Sequence, residues 1–444
     1  MLTIYGEKQR FCDGVSRREF LRIGGMALGG LTLVDFLAAE ARASQKIPAH
    51  KAVIIVYLPG GPPHQDTFDL KMDAPSEIRG EFKPIDTSVP GIQIGELLPK
   101  MAKMMDKLAI IRSLVGARDE HANPLCISGF PLAEANKNHP SLGSSIAKIW
   151  GPTERTIPPY VDLIQKTQHK PYSIPAAYGF LGRNYGAARL DEEGAADMKL
   201  NGITLQRLSD RKRLLDSVDG FRKMVDRADA IGAQDVATQQ AFNILTSSKF
   251  VEALDVSLEP ASVRERYGKG QDAPAGDGCS MKHEQFLAAR RLVEAGVRCV
   301  TLGYGFWDFH GANFANCKKY LPMLDTAVTA LVQDLYDRGL NNDVSVVVWG
   351  DFGRTPKINK DAGRDHWPSV ASAILAGGGM RMGQAIGTTT KDGGYADERP
   401  LHYRDVMATL LHQMGFDVRS QQTVDQLDRP VFLYPGHEPI QELV

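Results

Sequence analysis

Residues Ala52 to Leu58 (AVIIVYL) form an unbroken apolar run, rich in β-branched side chains, that Pro59-Gly60-Gly61-Pro62-Pro63 ends abruptly. A strand with one wet face would alternate apolar and polar residues. A continuous run suits a strand buried on both faces, as in a parallel sheet. Leu108–Leu114, Val297–Leu302, Val344–Trp349 and Ser372–Ala376 repeat the pattern. Helix-like stretches precede three of them: Leu97–Asp106, Glu284–Ala295 and Leu321–Arg338. Helix then strand, repeated, predicts an α/β fold: a doubly wound, mostly parallel sheet flanked by helices. The chain has 444 residues, and a large sheet can use much of that length.

Two regions break the rhythm. Residues 190–267 are charged and helical in pattern, with pieces such as Leu205–Val225 and Asp235–Leu254, and predict a helical insertion beside the sheet. Gly268–Ser280 is rich in Gly, Asp and Pro and predicts an exposed loop. The run Gly377-Gly378-Gly379 follows a strand without leading into a helix, so it predicts a hairpin rather than a dinucleotide fingerprint.

The N-terminus predicts export. Ser16-Arg17-Arg18-Glu19-Phe20-Leu21-Arg22 matches the twin-arginine pattern, a glycine-rich apolar stretch runs from Ile23 to Leu37, and Ala41-Arg42-Ala43 places small residues before a cut at Ser44. A signal peptide over 1–43 and a domain over 44–444 follow, with a periplasmic or extracytoplasmic location and the twin-arginine machinery as a partner. Asp35 interrupts the apolar stretch, which is short for a stable membrane span. A net charge of −1 gives no reason to expect nucleic acid. Cys12 would leave with the signal. The spacing of Cys126, Cys279, Cys299 and Cys317 excludes a zinc knuckle and leaves one disulfide open.

Candidate chemistry gathers after the strands, where open α/β sheets bind ligands. Trp307-Asp308-Phe309-His310-Gly311 carries a carboxylate and an imidazole two residues apart, able to face one ion if extended. Asp351 ends a buried strand, a costly place for a carboxylate unless paired or metal-bound, and Arg354 is either its partner or an anion binder. His366 follows Asp365, which fits a partner supporting that imidazole. After the first strand come His64, Asp66 and Thr67. Here Asp66 or His64 could complete a coordination shell, or Asp66 could simply open a turn. His121 stands just before Asn123-Pro124, which reads as a helix cap and first turn.

On AVIIVYLPGGPPHQDTFD, EIRGEFKPIDT, PGIQIGELLP, WDFHGANF and WGDFGRTPKINKDAGRDHWP, the chain resembles the family called domain of unknown function 1501 over nearly all its length after the signal. That family is in turn similar to the alkaline phosphatase and sulfatase superfamily. The resemblance implies metals at the strand ends, matched by Asp308, His310, Asp351 and His366, with Asp66 and His121 behind them. It also implies a nucleophile, but counting back from Ser128-Gly129 reaches Asp119, which carries no hydroxyl or thiol. Thr67 as nucleophile, direct attack by water, or binding without turnover therefore stay open. The implied activity is metal-dependent hydrolysis of a phosphate or sulfate ester, on a small molecule or glycan, with Thr67, His121 and Arg354 as catalytic groups. The mixed nitrogen and oxygen donors suit Zn, Mn or Ca. A secreted module that binds metal or a sulfated glycan without catalysis is the alternative.

Overall fold

The apolar runs become neighbouring strands. The structure, a computed structural model, describes residues 50–135, 138–190 and 248–444. The expected signal peptide, 1–43, and residues 191–247 of the expected insertion lie outside the described residues. Nine strands form the main sheet: β1 (Ala52–Leu58), β2 (Leu108–Val115), β3 (Tyr160–Asp162), β4 (Ala188–Arg189), β5 (Cys299–Gly303), β6 (Val344–Gly350), β7 (Ala371–Gly377), β8 (Gln384–Ile386) and β9 (Leu401–His402). Their order is β8-β2-β7-β6-β1-β5-β3-β4, with β9 also on β2. Every pairing is parallel except those of β7, which runs against both β6 and β2.

The unbroken hydrophobicity of β1 is explained by two cores. Ala52, Ile54, Val56 and Leu58 pack on one face, with helices α3 (Glu284–Ala295) and α4 (Asn313–Asp337). Val53, Ile55 and Tyr57 pack on the other, with α1 (Pro124–Ser128), α2 (Leu142–Trp150) and α5 (Tyr403–Gln413). Each fully buried aliphatic side chain contributes roughly 1.5–3 kcal/mol, so a polar residue anywhere in this run would cost one of the two layers.

The direction of β7 matters for function. The carboxyl ends of β1, β2, β5 and β6 point the same way, and β7, being reversed, brings its amino end to that edge. The segment holding His366 thus reaches the same rim as the loops that follow the parallel strands.

Some local expectations are corrected. Gly377, Gly378 and Gly379 turn the chain with φ of +68°, +66° and +76°, but no β7–β8 hairpin forms. Strands β6 and β2 already occupy both edges of β7, so the chain passes on to the far edge of β2. Within Gly268–Ser280, residues Gly270–Pro274 pair with Ser280–Lys282 instead of forming a plain loop. The four cysteines of the described residues are free and buried. Asn123 does precede α1, but its side chain donates to Ile174 O (2.9 Å) and caps nothing. Among the described residues, no helix is long and apolar enough to cross a membrane.

Candidate metal centre

Two loops are laced together to build the rim. Residues 307–313, after β5, meet residues 359–365, before β7. Ala312 N donates to Asp361 O (3.0 Å), Asn313 N to Ala362 O (2.8 Å) and Arg364 N to Phe309 O (3.0 Å). Asn359 organises the second loop: its Oδ1 accepts from Asp361 N and Gly363 N, and its Nδ2 donates to His310 O (2.9 Å). The backbones approach so closely that a Cβ on Gly363 would lie 2.0 Å from His310 O. This lacing sets His310 beside His366.

Four side chains converge there. One ligand atom from each of His121, Asp308, His310 and His366 lies within 4.8 Å of the others. Asp308 Oδ1 is 2.9 Å from His310 Nε2 and 3.2 Å from His366 Nε2, and the two Nε2 atoms are 2.9 Å apart. Asp308 Oδ2 is 3.2 Å from His121 Nε2. On their other sides, His310 Nδ1 meets Asp365 Oδ1 (2.7 Å) and His366 Nδ1 meets Asp119 Oδ1 (2.6 Å). His121 Nδ1 meets the Tyr172 hydroxyl (2.8 Å) and lies 3.8 Å from Asp351 Oδ2.

The donor set fits a divalent ion. Ligands about 2.0–2.2 Å from zinc are separated by roughly 2.8–3.6 Å when they subtend tetrahedral or octahedral angles. The Asp308–His310–His366 triangle has edges of 2.9, 2.9 and 3.2 Å. Three electron-rich atoms this close call for a shared cation or for protons between them.

The electrostatics agree. Burial alone would lower the His121 imidazole, but the neighbouring Asp308 and Asp351 carboxylates outweigh it and raise the pKa from 6.5 to about 9. Burial pushes the Asp308 carboxyl up, yet the hydrogen bonds from His121, His366 and Arg354 hold it well below the usual range. Burial, then the charges of Asp351 and Asp308, push the Tyr172 phenol up, so it keeps its proton.

The other expected residues are placed differently. Asp351 is buried just inside the cluster, accepting from Gly60 N (3.0 Å) and the Tyr57 hydroxyl (3.1 Å). A Cβ on Gly60, whose φ is +94°, would stand 2.6 Å from Asp308 N. Glycine there lets the end of β1 donate to Asp351 while touching Asp308.

Arg354 is expected to bind an anion, but it is fully buried and turned inward. It donates to Gly61 O (3.0 Å), Arg364 O (3.0 Å), Gly60 O and Asp308 Oδ1 (2.5 Å), which commits its fork to holding Asp308. Asp66, expected as a ligand, is not among the converging residues. It forms a buried pair with Arg364 (2.7 and 3.1 Å) and accepts from Asn313 Nδ2 (2.9 Å). The Thr67 hydroxyl is buried and donates to Pro63 O (2.9 Å), which faces it away from a nucleophile's role. His64 Nε2 is bound at Gly393 O (2.8 Å). Asp365, expected to support His366, supports His310. Asp119, read only as a position lacking a hydroxyl, supports His366.

With this geometry in view, comparison with known proteins decides the family. The family model described as "Protein of unknown function (DUF1501)" matches residues 50–444. The chain belongs to this family. No curated protein matches it. Several solved structures are similar to this DUF1501 protein. Ps i-CgsB in complex with k-i-k-neocarrahexaose shows 11% identity over 88% of this chain and 77% of that one, at a TM-score of 0.38. The PsFucS1 sulfatase from Pseudoalteromonas sp. shows 10% identity over 86% and 71%, at 0.37. The phosphonate monoester hydrolase SpPMH from Silicibacter pomeroyi shows 12% over 83% and 73%, at 0.35.

Proposed function

We propose that this DUF1501 protein is an exported, metal-dependent hydrolase of phosphate or sulfate esters. The observation that carries the reading is the triangle of Asp308 Oδ1, His310 Nε2 and His366 Nε2, with edges of 2.9–3.2 Å. These three residues would hold a divalent ion, Zn, Mn or Ca. When bound, such an ion supplies Lewis-acid polarisation of an ester oxygen and acidifies water.

The chain's own groups divide the remaining work. Arg354 fixes Asp308 from behind. Tyr57 and Gly60 hold Asp351, which sustains positive charge on His121. His121, carrying a proton at Nε2, serves as general acid toward a leaving alkoxide, steadied through Nδ1 by Tyr172. With the Thr67 hydroxyl committed to Pro63 O, water is the nucleophile in this reading. That same commitment favours the second reading, a secreted metal- or glycan-binding module without turnover. The export assignment rests on the twin-arginine pattern at Arg17-Arg18.

The test is turnover. The exported protein is assayed on aryl phosphate and aryl sulfate esters, metal-loaded and after chelation, beside His121→Gln. Metal-dependent hydrolysis, lowered about 100-fold or more in the variant, is expected for a lost general acid. Retained metal with no hydrolysis of either ester class would favour the binding module.

A further inference from the structure

Asp119 and Asp365 come from different loops, one after β2 and one before β7, yet they do the same thing. Each places a carboxylate oxygen on the Nδ1 of one histidine: Asp119 on His366 at 2.6 Å, Asp365 on His310 at 2.7 Å. Both carboxylates are largely exposed, at 65% and 51%, so neither is held there by burial. Asn359 Nδ2 steadies Asp365 with a hydrogen bond of 3.1 Å. His121 is held differently: its Nδ1 meets the Tyr172 phenol at 2.8 Å, with the Asp351 carboxylate farther off at 3.8 Å.

We propose that Asp119 and Asp365 are positioning residues of the metal centre, each accepting the Nδ1 proton of one imidazole and so leaving that ring's Nε2 lone pair to the ion that Asp308 would share. A neutral imidazole carries one proton, and the group at one nitrogen decides which nitrogen keeps it. A carboxylate at Nδ1 holds the ring's orientation and raises the basicity of Nε2. The loop after β2 therefore supports a ligand in the segment that precedes β7. Asp119 sits behind His366, on the side of the ring away from Asp308, which assigns it support of the ligand and not attack on a substrate. This inference rests on the metal-site reading of Asp308, His310 and His366.

The experiment is a zinc titration of the full exported protein against a chromogenic chelator. It compares wild type with Asp119→Ala, Asp365→Ala, the matching Asn variants, and Asp308→Ala. Each Ala variant should bind zinc about 10–100-fold more weakly, the usual effect of losing such a partner. Asn should recover part of the loss, because its amide oxygen still accepts the Nδ1 proton. Melting of the metal-free variants should match wild type, since exposed pairs contribute little to stability. Ala variants that bind like wild type, while Asp308→Ala binds no zinc, would overturn the positioning role and leave the metal site standing. Equal losses in Asn and Ala would also overturn it, in favour of bare charge. Failure of wild type to bind zinc would remove the metal-site reading and this inference together.

Discussion

At the scale of single residues, the rim separates groups that bind from groups that brace. Asp66 and Asp308 are both carboxylates near a strand end, and neighbouring sequence alone does not distinguish them. Asp66 is cancelled by the buried guanidinium of Arg364, which also donates to Ile78 O (2.8 Å). Asp66→Ala would leave that cation buried and unpaired, and should destabilise the protein by about 3–5 kcal/mol in urea unfolding. Its metal content per folded molecule should be unchanged. His121 gives a pH signature. Its folded pKa of about 9 lies above the reference 6.5, so the stability it contributes to chelator-treated protein is fully present below pH 6.5. That contribution is lost as pH rises through about 9. The stability difference between wild type and His121→Gln should shrink across this window, and a difference flat with pH would contradict the assignment.

At the scale of elements, the caps and loop contacts decide where chemistry can sit. Helix α5 opens on a reciprocal cap: His402 Nδ1 accepts from Arg404 N (3.1 Å) while Asp405 accepts from His402 N (2.7 Å). Burial, with the nearby charges of Arg404 and His437, lowers His402 from 6.5 to about 4. A depressed base keeps its contribution above pH 6.5 and loses it as pH falls through about 4. Asn also caps helices but does not titrate. His402→Asn should therefore flatten the acid arm of the unfolding profile between those values, and an arm of unchanged slope would contradict this. The strands were legible because two-sided burial writes continuous hydrophobicity into β1, β2, β5, β6 and β7. The reversal of β7 was not, because its sequence satisfies both neighbours equally in either direction. The Gly377–Gly379 hairpin failed for a related reason: local turn chemistry cannot know that β2 already holds the edge.

At the scale of the whole molecule, the α/β architecture could be read from the sequence; the expected ligand set of Asp308, His310, Asp351 and His366 differs from the group that converges, in which His121 stands in the place given to Asp351. What could not be read is pairing across long sequence separations. Asp119 reaches His366 across 247 residues, and Asp66 reaches Arg364 across 298. Nothing in the local pattern around Asp119 or Arg354 announces its distant partner. The inward turn of Arg354 follows from the close approach of Gly60 and Gly61, a feature of assembled loops. A chain that concentrates Asp308, Asp351, Asp119 and Asp365 around three imidazoles builds a place where positive charge is strongly favoured, and the rest of the sheet serves to hold it rigid. The most direct test is elemental analysis of the purified protein beside Asp308→Asn. Stoichiometric divalent metal in the wild type, lost from a folded Asp308→Asn, is the predicted result. A folded wild type that takes up no metal when offered Zn, Mn and Ca would contradict it.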